Sequence, residues 1–507
     1  MIPLAANANA TAALDLVAQL PALQVVVPLI GAVICATARQ RHVSAAVTIA
    51  CSVAMPVIAF LILLEVQAHG TISYAMGGWA PPVGIEYRID LINAFVLLLV
   101  SIMGAVVALY APRSLAYEIS EERQAWTYSM YLMCMCGLLG MAITGDAFNV
   151  FVFMEISSLA MYTLIAMGSE RRALVAAFQY LVIGTLGATF YVIGVGLIFT
   201  MTGTLNLYDM AALLPEVEDG HRSIIAGLAF ITIGIGLKLA MFPMHLWLPN
   251  AYAYAPTVAT AFIASTATKV AVYLLLRFLF SVFGVEFTFS ATPAAEILMV
   301  LAALAMIVCS LSAIFQINTK RMLAYSSVSQ VGYMLMGIAL VNEAGLTGGI
   351  SHMFNHAIIK ACLFMAIGCV FYATGVTRTE NLAGMGRTMP LTMGAFVIAG
   401  LGLIGVPGTA GFISKWYLVQ GASEAGLWWI VAVIVVSSVM AIFYVGHVIE
   451  VAYFREPVAK VARKPPPEMV LLTLLLALAV LFFGLDTDLN GEVAAAAARE
   501  LLAGWQS

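Results

Sequence analysis

What this chain lacks most is charge. Asp, Glu, Lys and Arg together make up 9% of 507 residues, where a soluble domain carries about 25%. Such a composition cannot coat a water-facing surface. The net charge is −4, with no basic tract for nucleic acid and no acidic tail. No Gly-rich phosphate loop precedes a helix, so no nucleotide is expected to bind. All seven cysteines (Cys35, Cys51, Cys134, Cys136, Cys309, Cys362 and Cys369) fall inside apolar stretches. None stands in a Cys-x-x-Cys or Cys/His metal spacing, and no haem or iron–sulfur pattern is present. No metal or cofactor site is therefore expected, and the thiols read as small buried hydrophobes. Length alone would allow roughly three soluble domains, but no Pro/Gly/Ser linker divides the chain. The one break, Arg463-Lys-Pro-Pro-Pro467, is short.

Hydrophobic residues, at 63%, and a mean hydropathy of +1.02 place the chain in a membrane as a single all-α domain. A helix needs about 20 apolar residues to cross the hydrocarbon core. That ruler predicts about 14 spans, at 20–37, 43–64, 90–111, 126–145, 147–167, 173–201, 223–243, 257–280, 294–317, 321–341, 347–373, 391–421, 426–450 and 468–484. The first span has neither a basic n-region nor a cleavage pattern and is expected to be retained. Positive charge orients the bundle. With the N-terminus outside, the inner loops hold Arg39, Arg41, Arg113, Arg123, Arg171, Arg172, Lys320, Arg321, Arg378, Arg387, Arg455, Lys460, Arg463 and Lys464. The outer loops hold only Arg88, Arg222 and Arg499, and Arg277 is expected to snorkel outwards from span eight. Both termini are then outside. Thr71 to Ile89 reads as an external hairpin, and the amphipathic stretch from Glu492 to Trp505 is expected on the outer surface or against a partner.

Four lysines remain, and all lie inside spans: Lys238, Lys269, Lys360 and Lys415. An unpaired charge at mid-bilayer costs at least about 2.5–3.5 kcal/mol, so a use for them is expected. Glu155 joins them in span five, and Asp146 stands just before that span. His352, His356 and Lys360 recur every four residues, which puts them on one helix face. Histidine titrates near neutral pH, as proton relay requires. His447 and Glu450 read either as a surface pair or as a proton exit. Helix breakers accompany two of the lysines. Pro243 follows Lys238; Gly402, Gly405, Pro407, Gly408 and Gly411 precede Lys415. Broken helices inside a bundle free carbonyls and admit water, and transporters use them in corresponding positions of two halves. Spans four to eight and nine to thirteen form two such five-helix units, with Lys238 and Lys415 each on the fourth helix. An odd number of helices per unit makes the units inverted. The expected division is 1–125 for spans one to three and the hairpin, 126–283 and 291–451 for the repeats, and 452–507 for span fourteen and the tail.

These residues resemble a known family, the antiporter-like subunits shared by Mrp-type monovalent cation/proton antiporters, respiratory complex I and membrane hydrogenases. The stretch Gly145-Asp-Ala-Phe-Asn-Val-Phe-Val-Phe-Met-Glu155 is similar to its fifth-helix glutamate motif. Lys320-Arg-Met-Leu-Ala-Tyr-Ser-Ser-Val-Ser-Gln-Val-Gly-Tyr333 resembles its most specific signature. His352-Met-Phe-Asn-His-Ala-Ile-Ile-Lys-Ala-Cys-Leu-Phe364 and Pro407-Gly-Thr-Ala-Gly-Phe-Ile-Ser-Lys-Trp-Tyr417 resemble its helix-eleven and broken helix-twelve motifs. Ala255-Pro256, Lys269 and Tyr273-Leu-Leu-Leu-Arg277 are similar to its helix eight, so the likeness runs from about residue 70 to 450.

The resemblance implies fourteen helices with inverted repeats and breaks in helices seven (Pro243) and twelve (Pro407, Gly408). It implies that Glu155 and Lys238 form a gating ion pair, that Lys269, His352, His356 and Lys360 carry protons along a central hydrated axis, and that Lys415 is the terminal donor or acceptor. Asp146, His245, Ser327, Ser329 and Gln330 are accessory candidates. Asn318 departs from the family, standing where many members have Asp, and span six lacks the acidic residue of some complex I relatives. With no long lateral helix after span fourteen, the pattern is most similar to the D-type member of Mrp antiporters. The implied role is therefore transport rather than enzyme catalysis. The chain would be the proton-translocating subunit of a hetero-oligomeric Na⁺ (or K⁺)/H⁺ antiporter in a bacterial inner membrane, its partners other membrane subunits. The alternative is a proton-pumping subunit of a complex I-like dehydrogenase or hydrogenase. A third reading, a module energising a soluble partner such as a bicarbonate accumulator, uses related subunits.

Overall fold

In the absence of water, a spanning chain must satisfy its backbone internally, and this one does so almost wholly with helices. The structure, a computed structural model, describes residues 18–217, 220–458 and 461–505; Lys460, one of the inner-side charges, lies outside them. Two helices, α1 (Leu20–Ala38) and α2 (Arg41–His69), lead to an antiparallel hairpin of β1 (Ile72–Ala75) and β2 (Glu86–Ile89), at the expected place. There follow α3 (Leu91–Glu118), α4 (Glu121–Ile143), α5 (Ala147–Ala166), α6 (Arg171–Thr202), the short α7 (Leu207–Leu213), α8 (His221–Leu239), α9 (Trp247–Tyr254) and α10 (Thr257–Leu276). The second half comprises α11 (Val285–Phe289), α12 (Ala294–Ile314), α13 (Thr319–Ala339), α14 (Glu343–Thr374), α15 (Met385–Thr388), α16 (Pro390–Ile404), α17 (Ala410–Glu424), α18 (Trp428–Phe454), α19 (Pro467–Leu485) and α20 (Val493–Ala503).

Among the described residues, 12 helices are long and apolar enough to cross a membrane, or 13 if the bent pair that ends on α16 counts as one span. The remaining expected span is α13, whose 21 residues carry Lys320, Arg321, three serines and a glutamine and so fall short in apolarity. Polar caps mark several helix starts. Asp90, Asp146, Asn206, Asn318 and Asn342 each accept a first-turn backbone N–H. Asn318 accepts from Arg321 N at 3.1 Å, so capping survives where the family pattern has Asp.

Every residue of α10 is buried, and α10 packs against α3 and α14 to form the centre of the bundle. Large exposed apolar side chains crowd α2, α6, α12, α18 and α19 instead, which form the periphery.

Both expected breaks are present. Helix α8 ends at Leu239, where Ala240 turns left-handed (φ 60°), and the chain passes through a turn at Pro243 to α9. Helix α16 ends at Gly405 (φ 90°), and Gly408 (φ 84°) also takes the left-handed conformation that glycine adopts freely. Carbonyls freed at each break find a donor. The Trp247 indole donates to Leu237 O at 3.0 Å, and Lys415 Nζ donates to Leu403 O and Ile404 O at 3.0 and 2.8 Å. A Cβ built on Gly411 would lie 1.9 Å from Gly402 O, so the two halves of this broken helix touch through backbone. Gly411→Ala is expected to destabilise the chain by about 1–3 kcal/mol and to lower flux by moving Lys415. A thermal midpoint equal to wild type would contradict that packing.

One expectation is corrected here. Arg277 does not snorkel outwards but is 2% exposed. It donates from Nη1 to Asp90 Oδ2 at 2.7 Å and from Nη2 to Asp90 Oδ1 and Asn93 Oδ1 at 2.7 and 2.6 Å. A bidentate carboxylate on α3 satisfies the guanidinium better than the interface does. The tail after Glu492 packs on its own chain. Ala494, Ala497, Ala498 and Leu501 of α20 are buried against α14 and α3, Arg499 pairs with Glu343 at 2.7 Å, and the Trp505 ring lies 4.7 Å from the Arg277 guanidinium.

Candidate functional site

The lysines inside the spans are buried, and among the described residues only one is bonded to an acid. Lys238, in the last turn of α8, lies 3.4 Å from Glu155 on α5 and donates to Ser158 Oγ at 2.6 Å. The site is lopsided: the Glu155 side chain is 24% exposed, the lysine 7%. Beside them a cavity of about 20 Å³, room for one water, is lined by Ser157, Ser158, Lys238, Ala267 and Ala271 among others. Lys238 shares its wall with Ala267, Ala271 and Leu274 of α10, and α10 carries the fully buried Lys269. Lys269 Nζ donates to Ala264 O at 2.5 Å and Thr268 Oγ1 at 3.3 Å.

On α14 the four-residue stripe faces protein as expected. His352 and His356 stack, with ring centroids 5.8 Å apart and planes inclined by 8°. Lys360 donates to Leu323 O and Ser326 Oγ at 2.8 and 2.6 Å. Helix α10, which carries Lys269, packs against α14, which carries His352, His356 and Lys360, so the two helices bring these titratable side chains to one interface. His352 bonds Gln330 through Nε2 at 3.0 Å and Ser414 through Nδ1 at 2.8 Å. Ser414 precedes Lys415, whose Nζ also reaches Ser438 at 3.1 Å. Tyr333 ties the two together. Its ring packs on His352 at 5.5 Å and lies 4.6 Å from Lys415 Nζ, and its hydroxyl meets Ser438 at 3.3 Å. Both ring nitrogens of His356 are buried without a protein partner among the described residues.

The accessory candidates divide. Gln330 bonds His352. Ser329 belongs to a buried hydroxyl group with Ser310 and Ser437, and Ser327 bonds Leu323 O of its own helix. Asp146 caps α5 through Asn149 N at 2.6 Å; burial raises its carboxyl above the ordinary range, against two backbone amides that lower it. His245 packs in the α8–α9 turn against Phe242 and Tyr325, with Cys309 Sγ 3.8 Å from Nε2. His447 and Glu450 are both half exposed, and Glu450 is also bonded to Arg455 at 2.9 and 3.0 Å, which makes a surface cluster.

Sequence reasoning missed the hydroxyls Ser158, Ser326, Ser414 and Ser438, although Ser158 follows Glu155 by three residues and therefore shares its face. It also set Lys320 in an inner loop. The structure buries that lysine at 3% exposure, where it donates to Thr257 Oγ1 at 3.2 Å and lies 5.4 Å from the Phe371 ring centroid. The first residues of α13 are enclosed by α9 and α14, so the helix start is not a solvated loop.

These features define a multi-pass membrane protein with a buried row of titratable groups crossing two broken helices. The family model for the NADH:quinone oxidoreductase/Mrp antiporter transmembrane region matches residues 144–441, and the chain belongs to that family. It is 46% identical to the N-type chain of the NADH-quinone oxidoreductase of Desulforudis audaxviator (strain MP104C) over 397 residues, 78% of each chain. It is 29% identical to the D-type chain of the Na(+)/H(+) antiporter of Alkalihalophilus pseudofirmus over 435 residues, covering 86% of this chain and 87% of that one. Among solved structures, a chain of the Mrp complex from Dietzia sp. DQ12-45-1b superposes with a TM-score of 0.88 at 26% identity, over 96% of this chain and 98% of the other.

Proposed function

We propose that this chain is the proton-translocating subunit of a multi-subunit membrane complex, carrying protons between Glu155–Lys238 and Lys415 through Lys269, His352, His356 and Lys360. The observation that carries this reading is the bonding of the lysines. Lys269, Lys360 and Lys415 rest on carbonyls and hydroxyls, with no carboxylate bonded to them among the described residues. A carbonyl accepts from an ammonium or an amine alike, and a hydroxyl can reverse to donate to the amine lone pair. Each lysine can therefore lose its proton and keep its hydrogen bonds. Like charges in a poorly screened interior disfavour one another, so a proton arriving at one lysine expels the next. At the Glu155 end, moving the carboxylate away from Lys238 removes the anion that holds the lysine's proton and sends it inward. The free nitrogens of His356 leave a donor and an acceptor for water-borne transfer between α10 and α14.

The complex sits in a bacterial inner membrane, with other membrane subunits covering the partly exposed Glu155 and both chain termini outside. The ends of the bundle support that orientation. Arg113–Glu468, Arg41–Glu121 and Arg455–Glu450 gather at the end with most of the arginines. Arg88, Arg277 and Arg499 gather at the other.

Two energy sources fit the axis. Exchange for Na⁺ or K⁺ is supported by the broken helix-twelve motif and by the 29% identity to a Na(+)/H(+) antiporter chain over most of both sequences. A redox drive from partner subunits is supported by the 46% identity to a quinone oxidoreductase subunit. Proton flux in everted vesicles holding the assembled complex separates them. A Na⁺ or K⁺ pulse evokes flux if the complex is an antiporter; NADH or another reductant evokes it if the drive is redox. No flux with either, from a fully assembled complex, overturns the reading of a proton translocator.

A further inference from the structure

At the arginine-rich end of the bundle lies a basic pocket that the proton axis does not use. A cavity of about 550 Å³ opens between the start of α6, the end of α9, the start of α13 and the segment after α14, lined by Glu170, Arg172, Tyr254, Arg321 and Arg378 among others. Several other arginines at this end have partners: Arg41 has Glu121, Arg113 has Glu468, Arg455 has Glu450, and Arg463 stacks on Tyr117 and Tyr372. Those in the pocket have no carboxylate partner among the described residues. Arg172 reaches only the Tyr254 hydroxyl, at 3.3 Å, and Arg321 keeps a buried Nε with no acceptor. Three guanidinium groups against one carboxylate leave the pocket with a surplus of two positive charges, and an unbonded planar donor matches a phosphate.

One side of the pocket's surroundings is apolar. Phe315 is 73% exposed and Ile317 58% exposed beside it. Arg321 also lines an adjoining cavity of about 330 Å³ that runs past Ile183 and Leu246. A soluble anion has no use for that track, whereas an acyl chain does. We infer that this pocket holds the phosphate headgroup of an anionic phospholipid, with its chains lying along Ile183, Leu246 and Phe315. Basic pockets between transmembrane helices bind such headgroups. The inference rests on this end of the bundle lying at a membrane surface and is independent of what drives the protons.

The test uses the complete complex, purified in detergent and washed free of lipid, with binding read by native mass spectrometry and by thermal midpoint. Phosphatidylglycerol is expected to bind as one adduct per chain and to raise the midpoint, while phosphatidylcholine does neither. Arg321→Gln combined with Arg378→Gln is expected to weaken phosphatidylglycerol binding roughly 30-fold, and Lys464→Gln to leave it unchanged. If the double variant fails to assemble, Arg378→Gln alone, at an exposed position, carries the comparison with a roughly fivefold loss. Equal binding by wild type and variants overturns the inference, as does equal protection by phosphatidylcholine. Full displacement by millimolar inorganic phosphate would assign the pocket to a soluble anion. Binding seen only after partner subunits are stripped away would assign it to an acidic protein segment.

Discussion

Lys238→Met is expected to abolish driven proton flux, at least tenfold below wild type, in a complex that still assembles. Lys238 is the only span lysine bonded to a carboxylate among the described residues, and it stands in the last turn of α8, where the C-terminal end of a half-helix favours a cation. Methionine matches the length of the stem but holds no proton. The relay then has nothing to pass through the cavity toward α10, and Glu155 loses the charge it moves against. Removing one partner of a buried pair is costly because the other is left uncompensated. Here the penalty is reduced, because the Glu155 side chain is partly exposed and can be protonated or solvated. Flux should therefore fall far more than stability. Vesicle flux set against the amount of assembled complex gives that ratio; a loss of assembly in step with flux would make Lys238 structural.

Arg277→Leu shows the opposite pattern. The guanidinium is fully enclosed, holds Asp90 with both nitrogens, and bonds Asn93 and Ser281 besides. Asp90 in turn caps α3 in a reciprocal box with Asn93, and Asn93 donates to the Tyr273 hydroxyl at 2.7 Å. Leucine fills the volume and leaves Asp90 buried and unpaired, at a cost of about 3–5 kcal/mol. Trp505 loses the nearer of its two guanidinium contacts and keeps that of Arg88 at 5.5 Å, so α20 should loosen. The expected result is a large drop in thermal midpoint and in yield of assembled protein, with flux per assembled complex nearly kept. Arg277→Lys should recover part of the stability, since it keeps the charge but not the fork. A wild-type midpoint for Arg277→Leu would show that the pair contributes little.

The two substitutions also mark where the sequence could be read. Long apolar runs interrupted by lone lysines are visible without coordinates, because a charge within 20 apolar residues has few explanations. The stripe His352, His356, Lys360 needed only the helical period, and the breaks at Pro243 and Gly405–Gly408 needed only backbone chemistry. A similar stripe of Lys269, Tyr273 and Arg277 went unread, and with it the pairing to Asp90, which lies 187 positions away in the chain. Long-range pairing leaves no local trace. The serines around the lysines were hidden for another reason: an isolated hydroxyl in an apolar helix usually bonds its own backbone, as Ser327 and Ser326 both do, and only packing shows that Ser326 also accepts from Lys360. Lys320 was misplaced because a charge at a span end reads as a loop until neighbouring helices are seen to enclose it. The two breaks differ in sequence, with proline after one lysine and before the other. In space both lysines meet the C-terminal end of a half-helix, Lys238 in the last turn of α8 and Lys415 through the final carbonyls of α16, which makes the halves physically alike.

The account turns on one continuous axis joining the two halves, and Lys269 is its middle link. The decisive measurement is driven proton flux in proteoliposomes of the assembled complex carrying Lys269→Met, with Glu155, Lys238 and Lys415 intact. If protons pass between the halves through α10 and α14, flux falls at least tenfold while assembly and thermal midpoint hold. If flux persists near the wild-type rate, Lys238 and Lys415 serve separate paths and the continuous axis is wrong.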